Sequence, residues 1–358
     1  MHIPDGYLSP ATCTALYASS APFWYIALQR VKKALHTRVV PLLSLFAAFS
    51  FVIMMFNLPL PGGTTGHAVG IGLVTVVLGP WAAMLAVSIA LIIQALFFGD
   101  GGVTAIGANC FNMAIAGALT AYAVYRVAAG SSPIGSLRRV VAAGMAGYVA
   151  INVSALLAAI EFGIQPLLYR DASGAPLYCP YPLGISIPAM MIGHLTIAGF
   201  AELIVSAGVV AFLQKSDPSL LRSAAGANIA ADEPAANGPR SLRPLWLGLA
   251  LLLVLTPLGI LAGGSAWGEW MASDFSDPAV RRQIAAASSN QAAPSRAPDG
   301  LERWSSFWTA PLARYAPPYV RHPAVGYMLS AMFGAGMVLL VCLAVGRLLR
   351  RDPQERTP

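Results

Sequence analysis

Apolar residues in this chain gather into long runs nearly free of charge, at roughly 10–31, 38–57, 68–98, 104–129, 140–162, 184–213, 244–263 and 324–346. About 20 such residues carry a helix across the hydrocarbon core of a bilayer. The pattern therefore predicts an all-α integral membrane protein. The run 68–98 is too long for one ordinary crossing and holds Gly79-Pro80 near its middle, where proline breaks or kinks a helix.

The placement of charge decides how that run is counted. With the N-terminus outside and 68–98 read as two helices, Arg30, Lys32, Lys33, Arg38, Arg126, Arg138, Arg139, Lys215, Arg222, Arg240, Arg243, Arg347, Arg350, Arg351 and Arg356 all fall inside. Counted as one helix, the run would send every later cluster to the outside, against the tendency of cytoplasmic loops to hold Lys and Arg. The expectation is nine transmembrane segments, one of them short, with an extracytoplasmic N-terminus and a cytoplasmic C-terminus in the cell's inner (plasma) membrane. An Ala-, Ser-, Asn- and Pro-rich stretch, 214–242, reads as a cytoplasmic linker. It divides a first part, 1–213, from a second, 243–358, which holds an external loop, 264–323.

Composition sharpens this picture. The 358 residues are 57% hydrophobic and only 10% charged, with mean hydropathy +0.66, whereas soluble domains carry about 25% charge. A chain of this length has no soluble core large enough for that apolar surface, so the excess faces lipid. The net charge of +7 sits in short clusters between apolar runs, which is topology signal and not a nucleic-acid surface. Four scattered cysteines with no CxxC spacing argue against a disulfide framework. The first residues carry no basic n-region and no convincing cleavage site, so Met1 and His2 are expected to remain on the mature protein.

The topology places Met1, His2 and His67 on the same outer face. An N-terminal Met-His offers three nitrogens to one metal: the amine of Met1, the amide of His2 and the His2 imidazole. Amine and amide close a five-membered chelate ring; amide and Nδ1 close a six-membered one. His67, after the flexible stretch Pro61-Gly62-Gly63-Thr64-Thr65-Gly66, is placed to add a fourth. Four nitrogens in a plane suit Ni(II) or Cu(II) and admit Co(II), whereas Zn(II) prefers a tetrahedron. The plainer alternative is a pair of surface histidines. Asp5, Thr64, Thr65 and Asn112 are candidates for an outer shell. A second candidate pair lies inside the membrane. Glu202 follows His194 by eight positions, so the two share roughly one helix face, either as an ion-coupling site or as a buried hydrogen-bonded pair. The chain has no GxxxxGK[ST], no HExxH and no nucleophile elbow, which disfavours an enzyme and leaves ATP to other subunits.

These residues resemble a known family. The start MHIPDGYLSP, the stretch from GGTTGHAVG to CFNMAIAG over 62–117 and, more weakly, GHLTIAGFAELIV over 193–205 are similar to the metal-binding membrane subunit of cobalt and nickel energy-coupling-factor transporters, the CbiM/NikM type. PDGLERW, residues 298–304, resembles the signature of a small two-helix accessory subunit, here fused to the first part. The resemblance implies a seven-helix substrate-binding (S-component) bundle plus two additional transmembrane helices. It implies Co(II) or Ni(II) as transported substrate, held by nitrogens of Met1, His2 and His67, with no organic cofactor. The implied partners are a transmembrane coupling subunit, cytoplasmic ATPase subunits and the lipid bilayer, with no nucleic acid. The accessory loop would either gate metal entry, stabilise the assembly or form a passive stalk. The rival expectation is an ion-coupled secondary metal permease using His194 and Glu202; a third is a metal sensor or assembly protein that does not transport.

Overall fold

The computed structural model describes residues 1–33, 39–221 and 242–349. Most of the expected linker, together with His36, Arg38, Arg222, Arg240, Arg350, Arg351 and Arg356, lies outside the described residues. The structure is helical, as the apolar runs predict. Helices α1 (Pro10–Lys33) and α2 (Val39–Ile53) are followed by a hairpin of β1 (Leu58–Leu60) and β2 (Thr64–Gly66), in which Leu58 faces Gly66 and Leu60 faces Thr64. Helix α3 (Ile71–Leu78) stops at Gly79, and α4 (Pro80–Ile93) begins at the next residue. Gly79 adopts φ 77°, ψ 166°, a conformation open to glycine alone, and Pro80 occupies a first-turn position where its missing N–H costs nothing. The break inside the long apolar run is therefore real. Helix α3 has eight residues, about 12 Å of helix, too short to cross a bilayer unaided.

Helix α4 continues through a wider π turn, Gln94–Phe98, and ends at Gly99. Next, α5 (Ile106–Asn109) runs through a π stretch, Cys110–Ala116, into α6 (Gly117–Ala129). Helix α7 (Leu137–Leu168) is the central post, and α8 (Leu183–Gly193) joins α9 (Gly199–Ser216) through another π turn, His194–Ala198. Small residues let these helices approach closely: a Cβ on Gly72 would lie 2.5 Å from the Gly147 Cα, the kind of contact that drives helix association in lipid. In the second part, α10 (Arg243–Leu255) and α13 (Pro323–Leu349) pack on α2. Between them, the loop forms two short helices, α11 (Pro278–Ala287) and α12 (Asp299–Trp304). Among the described residues, five helical segments are long and apolar enough to cross a membrane: Pro80–Phe98, Leu137–Leu168, Leu183–Ser216, Arg243–Leu261 and Pro323–Arg347.

The bundle has two unlike ends. At one, the Arg30 guanidinium lies 5.6 Å from the Trp81 ring centroid, and Gln214 donates to the carbonyls of Ile134 and Ser136. Glu202 meets residues 69–72 and Ser206 meets Leu73, so α3 and α9 run the same way and bring Gly79 toward this end. Residues 1–9, the β hairpin, the turn after α4 and much of the 264–315 loop gather at the other.

Candidate metal site

Residues 1–9 enter the bundle instead of lying over it. Met1, His2, Ile3, Tyr7 and Leu8 are all buried, and the main chain is pinned at several points. Asn109 accepts from the Ile3 N–H (2.8 Å) and donates back to the Ile3 carbonyl (3.1 Å), which also accepts from the Gly102 N–H at 2.8 Å. Asp5 accepts from the N–H groups of Val103 and Thr104 and from the Thr104 hydroxyl. Further along, Gln165 accepts from the Ser9 N–H, and the Tyr7 hydroxyl donates to the Trp270 carbonyl. Gly102 makes this fit possible, because a Cβ there would sit 2.3 Å from the Asp5 nitrogen.

His67 arrives from the other side, directly after β2. The segment behind it is fixed by Glu202, which accepts from the N–H groups of Val69 (2.8 Å), Gly70 (2.8 Å) and Gly72 (3.2 Å). These are the unpaired donors at the start of α3, and an anion there also meets the positive end of the helix dipole. Glu202 is thus a helix-terminal anchor for the His67 segment. It does not pair with His194, whose Nδ1 lies 2.7 Å from the Met190 carbonyl. The expected intramembrane His194/Glu202 pair is not formed: Glu202 is committed to main-chain donors.

The two histidines meet. Their rings stack with centroids 5.0 Å apart and planes 28° from parallel. His67 Nδ1 lies 3.1 Å from the Ala68 carbonyl, and His2 Nδ1 lies 2.9 Å from Asp100 Oδ1, close enough for an ion pair but not aligned as a hydrogen bond. Nε2 of each ring is buried without a protein partner. The amine of Met1 lies 3.4 Å from Glu269 Oε1. No hydrogen bond from the His2 N–H is found among the described residues. Burial, with added repulsion from the amine and His2, pushes His67 well below its ordinary value, so its imidazole is neutral and its lone pair is available. Burial works against ionisation of Asp100, yet His2 and the Tyr315 hydroxyl together hold it well below the usual carboxylate range. Among the described residues no three His, Cys, Asp or Glu side chains form a group able to hold a metal. A metal at this place would need donors besides such side chains.

The suggested outer-shell residues divide. Asp5 positions the terminal segment, whereas Thr64 donates to the Pro61 carbonyl, the Thr65 N–H donates to the Ser265 carbonyl and Asn112 donates to Glu161 at 2.8 Å. The acidic residues that touch His2 and the Met1 amine are Asp100 and Glu269, neither of which sequence reasoning singled out. Asp100 had a signal, a lone acid in Gly99-Asp100-Gly101-Gly102 between apolar runs. Glu269 had none.

The loop of the second part closes over this end. Thr65 pairs with Ala266 as a parallel bridge, and its N–H donates to the Ser265 carbonyl. Trp267 and Trp270 are buried, and Leu301 packs against Gly6. The loop is therefore no free-standing stalk.

Comparison with known proteins places the chain in a family. Residues 2–220 match the family model described as "Cobalt uptake substrate-specific transmembrane region" (CbiM), and residues 243–351 match the PDGLE domain. The "Fused nickel transport protein NikMN" of Rhodobacter capsulatus is 53% identical, covering 95% of each chain. The "Probable fused nickel transport protein LarMN" of Lactiplantibacillus plantarum is 42% identical, covering 95% of this chain and 96% of its own. A crystal structure of a truncated transition metal transporter superposes with TM-score 0.57 at 47% identity, over 60% of this chain and 99% of its own. With the family model spanning more than half its length, this chain belongs to the CbiM family of cobalt-uptake transmembrane proteins, joined in one polypeptide to a PDGLE domain.

Proposed function

We propose that this chain is the metal-capturing membrane subunit of an importer for Co(II) or Ni(II), in which ATP hydrolysed on separate cytoplasmic subunits acts through a transmembrane coupling subunit. The metal is cargo; the chain is a transporter component and not an enzyme. The observation that carries the reading is the stacked His2–His67 pair beside the buried amine of Met1, with His2 Nδ1 and His67 Nε2 both buried and without a hydrogen-bond partner.

The proposed ligands are the Met1 amine, the His2 amide and imidazole, and the His67 imidazole. Only Nδ1 of His2 can close a six-membered ring with its own amide, and that atom now faces Asp100. Metal capture therefore exchanges the His2–Asp100 and Met1–Glu269 contacts for metal–nitrogen bonds. A dication on a deprotonated amide keeps one positive charge, and the two carboxylates remain beside it as counter-charge. The names of the fused relatives, which speak of nickel, and the family description, which speaks of cobalt, support this cargo. The cationic residues gathered at the opposite end support a cytoplasmic location for that end. The capture site would then face outward from the inner membrane.

The test is calorimetry on the purified chain with its native terminus, beside His2→Ala and His67→Ala. Loss of a direct ligand should cost more than the roughly 10–100-fold typical of outer-shell changes. Unaltered affinity in both variants removes the reading. In vesicles containing the partner subunits, uptake should persist when the proton gradient is collapsed and ATP is maintained; uptake that stops would favour an ion-coupled permease.

A further inference from the structure

The second part of the chain does more than cover the site: it touches the Met1 amine directly and reaches His2 through Asp100. We propose that Glu269 is a positioning residue for the Met1 amine, and that Tyr315, acting through Asp100, is a positioning residue for His2. The proposal rests on the site reading above and extends it, making capture by the first part dependent on side chains of the second.

Glu269 is held firmly for that task. The bridge between Ala266 and Thr65 ties its segment to the strand that ends one residue before His67. Buried Trp267 and Trp270 flank it, with ring centroids 5.8 Å apart. Gly268, at φ +81°, lets the chain turn where a Cβ would strike the Phe162 ring at 2.8 Å. The carboxylate is thereby aimed at the amine, which it approaches to 3.4 Å.

Tyr315 is held as firmly. Its ring stacks on Phe98 with centroids 4.6 Å apart, and its carbonyl accepts from the Ser330 hydroxyl. Its φ of 58° is rare for a bulky residue, and such strain persists only where the surroundings impose it. The hydroxyl donates to Asp100 Oδ2 at 2.6 Å and accepts from Gln94 Nε2 at 3.1 Å. The other oxygen of Asp100 lies against His2 Nδ1. Asp100, itself hydrogen-bonded, thus rests against the very nitrogen proposed to take the metal: it holds the ring in place before capture and stays beside the bound dication as counter-charge.

The test measures Ni(II) affinity and the visible absorption of the Ni(II) complex for the full chain with its native terminus, as Glu269→Gln, Tyr315→Phe, Asp100→Asn and the Asp100→Asn/Tyr315→Phe double variant. Tyr315→Phe keeps the stacked ring and removes only the hydroxyl, so it separates positioning from folding. Glu269→Gln should weaken binding about tenfold, and Tyr315→Phe should weaken it severalfold. In the Asp100→Asn background, Tyr315→Phe should add nothing, because its effect passes through that carboxylate. Wild-type affinity in both Glu269→Gln and Tyr315→Phe, while His2→Ala and His67→Ala lose binding, overturns this inference and leaves the site reading intact. Full additivity of Tyr315→Phe with Asp100→Asn overturns the Asp100 route. Binding that survives His2→Ala and His67→Ala overturns the site reading itself.

Discussion

Glu202 Oε2 accepts a hydrogen bond from the Gly70 N–H at 2.8 Å, joining the middle of a membrane helix to the start of another. The same oxygen accepts from Val69, and Oε1 accepts from Gly72. A carboxylate so occupied is poorly suited to carry protons across a membrane. Its use is to hold residues 68–72, and with them His67, against the N-terminal segment.

Glu202→Gln should therefore behave as a structural lesion. One amide oxygen replaces two carboxylate oxygens, and an NH2 group faces main-chain donors. A charged hydrogen bond is worth about 1.5–3 kcal/mol, so a loss of about 2 kcal/mol in stability and a parallel loss of metal affinity are expected. Thermal unfolding in detergent and calorimetry measure both. A variant that is fully stable and binds normally, yet fails in uptake, would return Glu202 to a coupling role.

Gly102→Ala tests the seat of the terminus without touching a nitrogen donor. The added methyl would meet the Asp5 nitrogen at 2.3 Å and Asp5 Oδ1 at 2.6 Å. Overpacking of this kind costs about 1–3 kcal/mol. It would push residues 3–5 off the Asn109 and Thr104 contacts. Metal affinity should fall although Met1, His2 and His67 are unchanged; wild-type affinity would show that the clamp does not govern the site.

Some of this architecture was legible in the sequence and some was not, for physical reasons. The break at Gly79-Pro80 could be read because glycine opens a backbone conformation other residues avoid and proline cannot continue a helix through its own position. The convergence of His2 and His67 followed from counting membrane crossings. The His194/Glu202 pairing failed because eight residues separate the two by about 12 Å along the helix axis, and each finds main-chain partners nearer at hand. The true partners of Glu202 are main-chain N–H groups, which no sequence pattern marks. Glu269 and Tyr315 meet the site only through the path of a long loop, whose course depends on burial of Trp267, Trp270 and Leu301.

Acidification should act on the empty protein through His67. Burial lowers its folded-state pKa well below the ordinary 6.5, so between those two values the unfolded chain binds the proton more readily. Stability is then full above about 6.5 and declines as pH falls below it. Metal affinity should decline as well, since protons compete for the amine and amide. Melting temperatures of the metal-free protein and of His67→Gln, compared from about pH 8 to about pH 5, should show a shallower slope in the variant. Equal slopes would assign the acid sensitivity elsewhere.

The terminal amine gives the sharpest test. Met1 is 3% exposed and its nitrogen lies against Glu269. One added glycine would turn the amine into an amide, remove its charge from Glu269 and move the new amine beyond reach of a five-membered ring with His2. Folding of the bundle should be little affected, because residues 3–9 keep their partners on Asn109, Thr104 and Gln165. The expected result is a near-wild-type melting temperature with Ni(II) affinity reduced by at least about 100-fold, beyond the usual range for an outer-shell change. Proteolytic removal of the added residue should restore binding in the same sample. An extended protein that binds as tightly as the native one would show that the Met1 amine is dispensable as a ligand.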